Sequence, residues 1–436
     1  MTAPSAFRSR LIDGLNQRFF YGWIIVFVGV VGMLVSGAGQ SHTFSIFFPL
    51  IAADLDLSVT EVAAAFSAAT LAGGFLLPLV GRQIDRFGGR PVLLLVILLL
   101  GLAAALFSLV GGVATLLMGF AALRLLGQGS TMLGCTNIVS QWFERQRGFA
   151  ISLIMLGFAA SMAIHPPLSE WLVSQVGWRE AWIWIGVATW IAMVPLVFFL
   201  VESKPEDVGL KPDGGEAEAR SGFGPSPVGR ADEGLRAREA LRTRAFWLIA
   251  PGLFSISMLV TALHVFQVSI FLNHGLDPAL AARSFPISAV TMALAMPLVG
   301  RMLDAMRTER VFAMTLVVMC LSLIAASFVR DLPTAIVYAM IFGLNNAMML
   351  SLFGYLWPRY FGRKHLGSIQ GMGQTLGLVA ASTGALPFGL AYDMFGTYDG
   401  ILRVSAIMPL CFAVLILLFL RTPPQLRESG VGAAKN

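Results

Sequence analysis

One arginine stands apart in this sequence. Arg124 lies about eleven residues into an apolar run over 113–140, and no other charged residue sits as deep in any such run. In hydrocarbon a charge at that depth costs from about 3 to well above 10 kcal/mol, which makes it a functional candidate by default. What a guanidinium offers there is a grip on an anion or another strong hydrogen-bond acceptor. If the run is helical, Arg124, Gln128, Thr131 and Cys135 recur at i, i+4, i+7 and i+11 and share one face. Two other apolar runs hold His264 and Gln267, and Asn345 and Asn346, all neutral hydrogen-bonding groups. Ser257, Thr261 and His264 repeat at helical spacing as a polar stripe.

The elements that would position these residues are membrane helices. The chain is 57% hydrophobic and 12% charged, about half the charge of an average soluble protein, with a mean hydropathy of +0.77. Crossing the hydrocarbon core takes about 20 apolar residues as a helix. Twelve such runs are present, near 22–51, 60–80, 91–110, 113–140, 148–169, 181–201, 246–272, 281–300, 311–329, 334–357, 367–390 and 401–420. Arg124 then falls roughly 16 Å into the fourth span, near the bilayer midplane. The expected fold class is an all-α membrane protein embedded in a lipid bilayer.

The net charge of +6 invites a nucleic-acid reading, but the charges sort by loop instead. With the N-terminus inside, 25 of the 30 Lys and Arg fall on the cytoplasmic side, against Arg179, Arg283, Arg330 and Arg403 on the other. That is the positive-inside bias of a multi-pass protein of a bacterial-type inner membrane with both termini cytoplasmic, so no nucleic-acid partner is expected. Cys135, Cys320 and Cys411 lie in apolar runs without metal-ligand spacing, and no metal or other cofactor is expected. Arg8, Arg10 and Arg18 precede an apolar stretch too long for a cleaved signal peptide. Tyr21 and Trp23 suit an interfacial anchor, and Ser58-Val59-Thr60-Glu61 matches a capping box at the start of the second span.

The chain also repeats itself. Pro78-Leu79-Val80-Gly81-Arg82-Gln83-Ile84-Asp85 returns as Pro297-Leu298-Val299-Gly300-Arg301-Met302-Leu303-Asp304, an offset of 219 in 436 residues. Gly177-Trp178-Arg179-Glu180 answers to Gly396-Thr397-Tyr398-Asp399 at the same offset, and Trp142-Phe143 to Tyr360-Phe361 at 218. Met33-Leu34-Val35-Ser36 answers to Met258-Leu259-Val260-Thr261 near 225. These landmarks imply two six-helix halves, 1–201 and 245–436, with a polar cytoplasmic linker over 202–244. The linker carries no phosphate-binding loop, which argues against ATP-driven chemistry.

The run Gly81-x-x-x-Asp85-Arg86-x-Gly88-x-Arg90, with a degenerate copy at Gly300–Asp304, resembles the signature loop of the major facilitator superfamily. Tyr21-Gly22-Trp23, Trp142-Phe143 with Arg147-Gly148, Lys204-Pro205-Glu206-Asp207-Val208-Gly209 and Tyr360-Phe361-Gly362-Arg363 are similar to its monocarboxylate-transporter and oxalate–formate branch. The resemblance implies two pseudo-symmetric six-helix bundles and secondary transport of a small organic solute by alternating access, a monocarboxylate-type anion first, in a protein acting as a monomer. It also implies that spans 1, 4, 7 and 10 line a water-filled cavity, onto which the Arg124 face should look.

On those spans the repeat pairs Gln40 with His264, Thr43 with Gln267, Gln128 with Asn346 and Gly127 with Asn345. The expected binding site is therefore Arg124 as clamp, with Gln40, Gln128, His264, Gln267, Asn345 and Asn346 around it. The expected gate is the loop 81–90, where Gly81 and Gly88 turn the chain and Asp85, Arg86 and Arg90 bond across to the other half, with Arg301 and Asp304 as second copy.

The sequence departs from the branch in carrying no charge in span 8 and none at depth in spans 1 and 11. With no Asp or Glu at membrane depth, coupling to protons would need a histidine or the substrate carboxylate, and no Na+ site is recognisable. Structural roles compete with these: Arg124 can bond helix carbonyls, Asn and Gln can join helices, and His42 and His165 suit packing. An exporter of hydrophobic compounds and an acyltransferase-like enzyme built on His165 and Glu170 are the alternatives, the latter remote.

Overall fold

The computed structural model describes residues 19–143, 146–215, 235, 237–361 and 366–420. Among these, twelve helical spans are long and apolar enough to cross a membrane, from Gly22–Asp54 to Asp399–Phe419. The first span is two helices, α1 (Gly22–Val35) and α2 (Ser41–Asp54). Spans 2 and 3 are α3 (Val59–Phe87) and α4 (Gly89–Phe107). The fourth is α5 (Val113–Leu123), a π-helical stretch (Arg124–Thr131) and α6 (Met132–Trp142). Spans 5 and 6 are α7 (Arg147–Val176) and α8 (Trp178–Leu200).

Spans 7 to 11 are α9 (Arg244–Asn273), α10 (Pro278–Ala305), α11 (Thr308–Ser327), α12 (Leu332–Phe361) and α13 (Leu366–Phe395). The twelfth is α14 (Asp399–Ser405) with α15 (Ile407–Phe419). In a bilayer every backbone N–H and C=O needs a partner inside the chain, and the uninterrupted helix provides it.

By contacts the chain forms two compact units, Met1–Leu57 with Ala68–Ala219, and Ser58–Ser67 with Arg220–Asn436. The same pairings recur in each: span 1 packs on 5 and 3 on 6 in the first, and 7 on 11 and 9 on 12 in the second. In the second unit the start of α3 is held by Thr60, whose N–H donates to Asp393 at 2.8 Å. The capping box forms as expected: Ser58 N–H donates to Glu61 Oε2 at 2.8 Å, and Glu61 N–H to Ser58 Oγ at 3.1 Å.

Each unit ties the end of its first span, the end of its third and the start of its sixth with charge, but with opposite polarity. In the first, Arg179 donates to Asp54 at 2.6 Å and to the carbonyls of Ser108 and Val110 at 2.7 and 2.8 Å. In the second the carboxylate sits on the last span: Asp399 meets His274 at 2.9 Å, Arg330 at 3.2 Å and Arg403 at 3.8 Å. Gly177 (φ +83°) and Gly396 (φ +66°) make the preceding turns, a region of φ that favours glycine.

Several expectations are corrected. The loop 81–90 is mostly helix: α3 runs on through Gly81, Asp85 and Arg86 to Phe87, because a helix satisfies its own backbone in water as in lipid. Only Gly88 separates it from α4, at φ +90° and ψ 157°. Arg90 donates to Phe198 O at 2.9 Å inside the first unit. Tyr21 is buried against the end of span 6, its hydroxyl donating to Leu200 O at 2.7 Å. The linker has local order in its described part, with 3-10 turns at Pro205–Val208 and Pro212–Gly215. Asp85, Arg86 and Arg301 are exposed, and the side chain of Asp304 lies outside the described residues.

Candidate functional site

The first unit builds its polar centre where two spans depart from regular helix. Ser36-Gly37-Ala38-Gly39 tightens into a 3-10 turn, and Gln40 is extended at φ −93° and ψ 150° before α2 begins. Such a break frees carbonyls that hydrocarbon cannot satisfy. Side chains take them: Thr43 Oγ1 donates to Gly37 O at 2.6 Å, and Arg124 Nη1 to Gly39 O at 3.1 Å. Arg124 also donates to Ser41 Oγ at 3.2 Å and, through Nε, to Thr70 Oγ1 of α3 at 3.0 Å. The guanidinium therefore joins spans 1, 2 and 4.

Opposite the break, span 4 winds as a π-helix from Arg124 to Thr131. Ser130 and Thr131 mark the wider turn by donating five residues back, to Leu125 O and Leu126 O, both at 2.7 Å. The two irregular segments meet backbone to backbone. A Cβ built on Gly39 would lie 2.2 Å from Leu123 O and 2.8 Å from Gly127 Cα, and one on Gly127 would lie 2.7 Å from Gly39 Cα. Only glycine at both positions permits this approach.

Cys135 packs on α1, where a Cβ on Gly32 would come within 2.4 Å of its sulfur, so it meets the same span that Arg124 meets at Gly39 and Ser41, and Thr131 is wholly buried. Arg124 is itself 3% exposed, so it stands within its unit rather than at an open surface. Gln40 is also buried, and Gln128 is half-buried beside them.

The second unit has no matching break, since α9 and α12 run straight through. Its polar residues pair between helices instead. Gln267 Nε2 donates to Ser284 Oγ of α10 at 2.5 Å, and Tyr338 of α12 donates its hydroxyl to Gln267 Oε1 at 3.2 Å. His264 is buried, its ring centroid 4.7 Å from that of Phe342. Asn346 Nδ2 donates to Phe342 O, one turn back, at 2.8 Å. Asn345 is fully buried, and neither of its amide atoms has a hydrogen-bond partner among the described residues.

The predicted residues thus form two clusters, one in each unit. Sequence reasoning missed Ser41, Thr70, Ser284 and Tyr338, lone hydroxyls within apolar runs that become informative only beside Arg124 or Gln267. His42 Nε2 lies 3.1 Å from Ser161 Oγ, and His165 Nε2 3.1 Å from Leu34 O, both inside the first unit. His165 and Glu170 both belong to α7, where a five-residue separation turns them to different faces, so they do not form an acid–base pair. Among the described residues no group of His, Cys, Asp and Glu could hold a metal ion.

These features match known proteins over nearly the whole chain. The family model "Major Facilitator Superfamily" matches residues 25–292 and 254–435. The 4-hydroxybenzoate transporter PcaK of Acinetobacter baylyi is 30% identical over 188 residues, which is 42% of this chain and 40% of PcaK. Monocarboxylate transporter 6 of Mus musculus is 21% identical over 353 residues, 77% of this chain and 73% of that one. The crystal structure of a bacterial homolog of the human lysosomal transporter Spinster, inward-facing and unoccupied, shares the fold with a TM-score of 0.68 at 14% identity, covering 94% of this chain and 97% of its own. The chain belongs to the Major Facilitator Superfamily and is a secondary transporter of small organic solutes.

Proposed function

We propose that the transported solute is an organic anion of the monocarboxylate type, carried by alternating access, with Arg124 as its charged contact. One observation carries the reading. The hydrogen bonds from Arg124 to Thr70, Gly39 and Ser41 tie its guanidinium to spans 1 and 2 and fix its direction at membrane depth. A cation held at membrane depth in that way favours an anion arriving beside it. Gln40 and Gln128 would supply uncharged hydrogen bonds around it. The similarity to a 4-hydroxybenzoate transporter and a monocarboxylate transporter supports the same class of solute.

The test is uptake of radiolabelled monocarboxylates into proteoliposomes by Arg124→Lys and Arg124→Gln proteins, each first checked for a monodisperse, folded state. Arg124→Lys keeps the charge but loses the fork of donors, and should retain part of the uptake. Arg124→Gln should abolish it. Undiminished uptake by the folded glutamine variant would exclude the role.

A further inference from the structure

Two of the three guanidinium nitrogens of Arg124 are engaged by its own unit. Nε donates to Thr70 Oγ1 at 3.0 Å, and Nη1, with two hydrogens, donates to Gly39 O at 3.1 Å and to Ser41 Oγ at 3.2 Å. A carboxylate is gripped by a fork of two parallel donors, and arginine has two such forks, Nε with Nη2 and Nη1 with Nη2. Each fork contains a nitrogen that is already bonded. Neither can close on a solute carboxylate until one of those bonds is given up. At 3% exposure the side chain is a clamp closed on its own helices.

The two forks differ in what opening them costs. The end-on fork runs through Nη1, whose acceptor Gly39 O is one of the carbonyls freed by the break in span 1. Without that donor it becomes an unmet backbone group at membrane depth, which hydrocarbon penalises heavily. The side-on fork runs through Nε, whose acceptor is a hydroxyl inside α3. A hydroxyl on a helix has a second use, donating to the carbonyl one turn back. Thr136, Thr189 and Thr315 all do so, at 2.8, 2.8 and 2.9 Å. Thr70 has that recourse when Nε leaves it, and Gly39 O has none of the kind. The side-on fork is therefore the one that opens.

We propose that Thr70 holds the solute's place on Arg124: an arriving carboxylate takes Nε from the Thr70 hydroxyl, while the bonds from Nη1 to span 1 stay. This rests on the reading of Arg124 as the anion contact. The exchange gives Thr70 a sign opposite to that of an ordinary site residue, since its bond must be broken for the solute to bind and so weakens affinity. It also changes which helices are joined. With Nε on Thr70, span 2 is tied to span 4, and with Nε on the solute that tie is gone. A ligand shifts a conformational equilibrium only through a contact that differs between the states, and the bond from Arg124 to Thr70 is such a contact.

The experiment measures the dissociation constants of lactate and benzoate for the purified full chain by isothermal titration, with melting temperatures taken without acid and at saturation. Thr70→Val keeps the shape of the side chain and removes the acceptor. It should melt below wild type without acid and bind acid about tenfold more tightly or better, the worth of a hydrogen bond to a charged group. The gap in melting temperature should narrow at saturation, because neither complex contains the bond. Thr70→Ser restores the hydroxyl and should return the affinity to that of wild type. Ser41→Ala, whose partner Nη1 stays on span 1, should not tighten binding. Equal or weaker binding by Thr70→Val would overturn the exchange and leave Thr70 as a residue that only aims the guanidinium. If Thr70→Val folds poorly alone, recovery by added acid supports the exchange and no recovery overturns it. If Arg124→Gln binds acid as wild type does, or wild type binds neither acid, the anion reading itself fails and the exchange with it.

Discussion

Replacing Gly39 with alanine tests the geometry that holds Arg124. The new methyl would start 2.2 Å from Leu123 O and 2.8 Å from both Gln128 N and Gly127 Cα. All three are backbone atoms, so no side chain can swing aside, and spans 1 and 4 must part by roughly 1 Å to restore van der Waals distance. Overpacking of this kind costs about 1–3 kcal/mol. The same displacement pulls Gly39 O from Arg124 Nη1, now 3.1 Å away, and a hydrogen bond to a charged group is worth about 1.5–3 kcal/mol. The two effects share one movement and do not simply add, so the expected loss is about 2–4 kcal/mol.

Thermal unfolding of the purified protein in detergent reads that loss, with Gly300→Ala as control. A Cβ on Gly300 meets nothing within 4 Å. Gly300 also lies inside α10, where exchanging glycine for alanine should stabilise by about 0.5–1 kcal/mol. Gly39→Ala should melt several degrees below wild type and the control at or slightly above it. Equal melting temperatures for the two variants would refute the backbone contact and the role it gives to Gly39.

Two other substitutions probe the ends of the spans. Asp399→Asn removes the carboxylate that His274, Arg330 and Arg403 face; with both arginines half-exposed, the loss should be about 1–2 kcal/mol in the same melting assay, and an unchanged midpoint would show the cluster to be ornamental. Gly88→Ala places a side chain at φ +90° and ψ 157°, with its Cβ 3.0 Å from Ser203 Oγ. It should cost about 1–3 kcal/mol and raise amide hydrogen exchange at the ends of α3 and α4, and unaltered exchange there would count against a strained turn.

The spans were legible because hydrocarbon sets both their length and their composition, and the duplication supplied their number twice. Their ends were not. Arg82, Asp85 and Arg86 read as a loop because they are charged, yet charge decides where a helix leaves the membrane and not where it stops winding. Gly88, the residue that does stop α3, was visible as one of the turn glycines.

Within the site, Arg124 was legible from its solitude and Gln267 from its depth. The break at Gly37 and Gly39 was not, because Gly29 and Gly32 in the same span pack against neighbouring side chains while the helix continues. Gly39 alone of these four has backbone opposite it, while Gly29, Gly32 and Gly37 face side chains, and that is a property of the fold. Residue types did not announce the π-turn of span 4 either.

The π-turn nonetheless left a trace in the bookkeeping of the duplication. At the start of span 4, Thr115 accepts the N–H of Gly111 at 3.1 Å, and at the start of span 10 Thr334 accepts that of Arg330 at 3.0 Å, an identical cap 219 residues on. At the far ends of the same spans Phe143 answers to Phe361, only 218 on. The first copy therefore contains one more residue than the second between those two landmarks. A π-turn is how a helix takes in a single extra residue without unwinding, and Arg124–Thr131 lies inside that interval. An insertion, or a deletion from the other copy, thus accounts for the asymmetry between the halves. One residue of difference, accommodated rather than expelled, lets Gly127 lie on Gly39 in one half while its counterpart became Asn345 in the other.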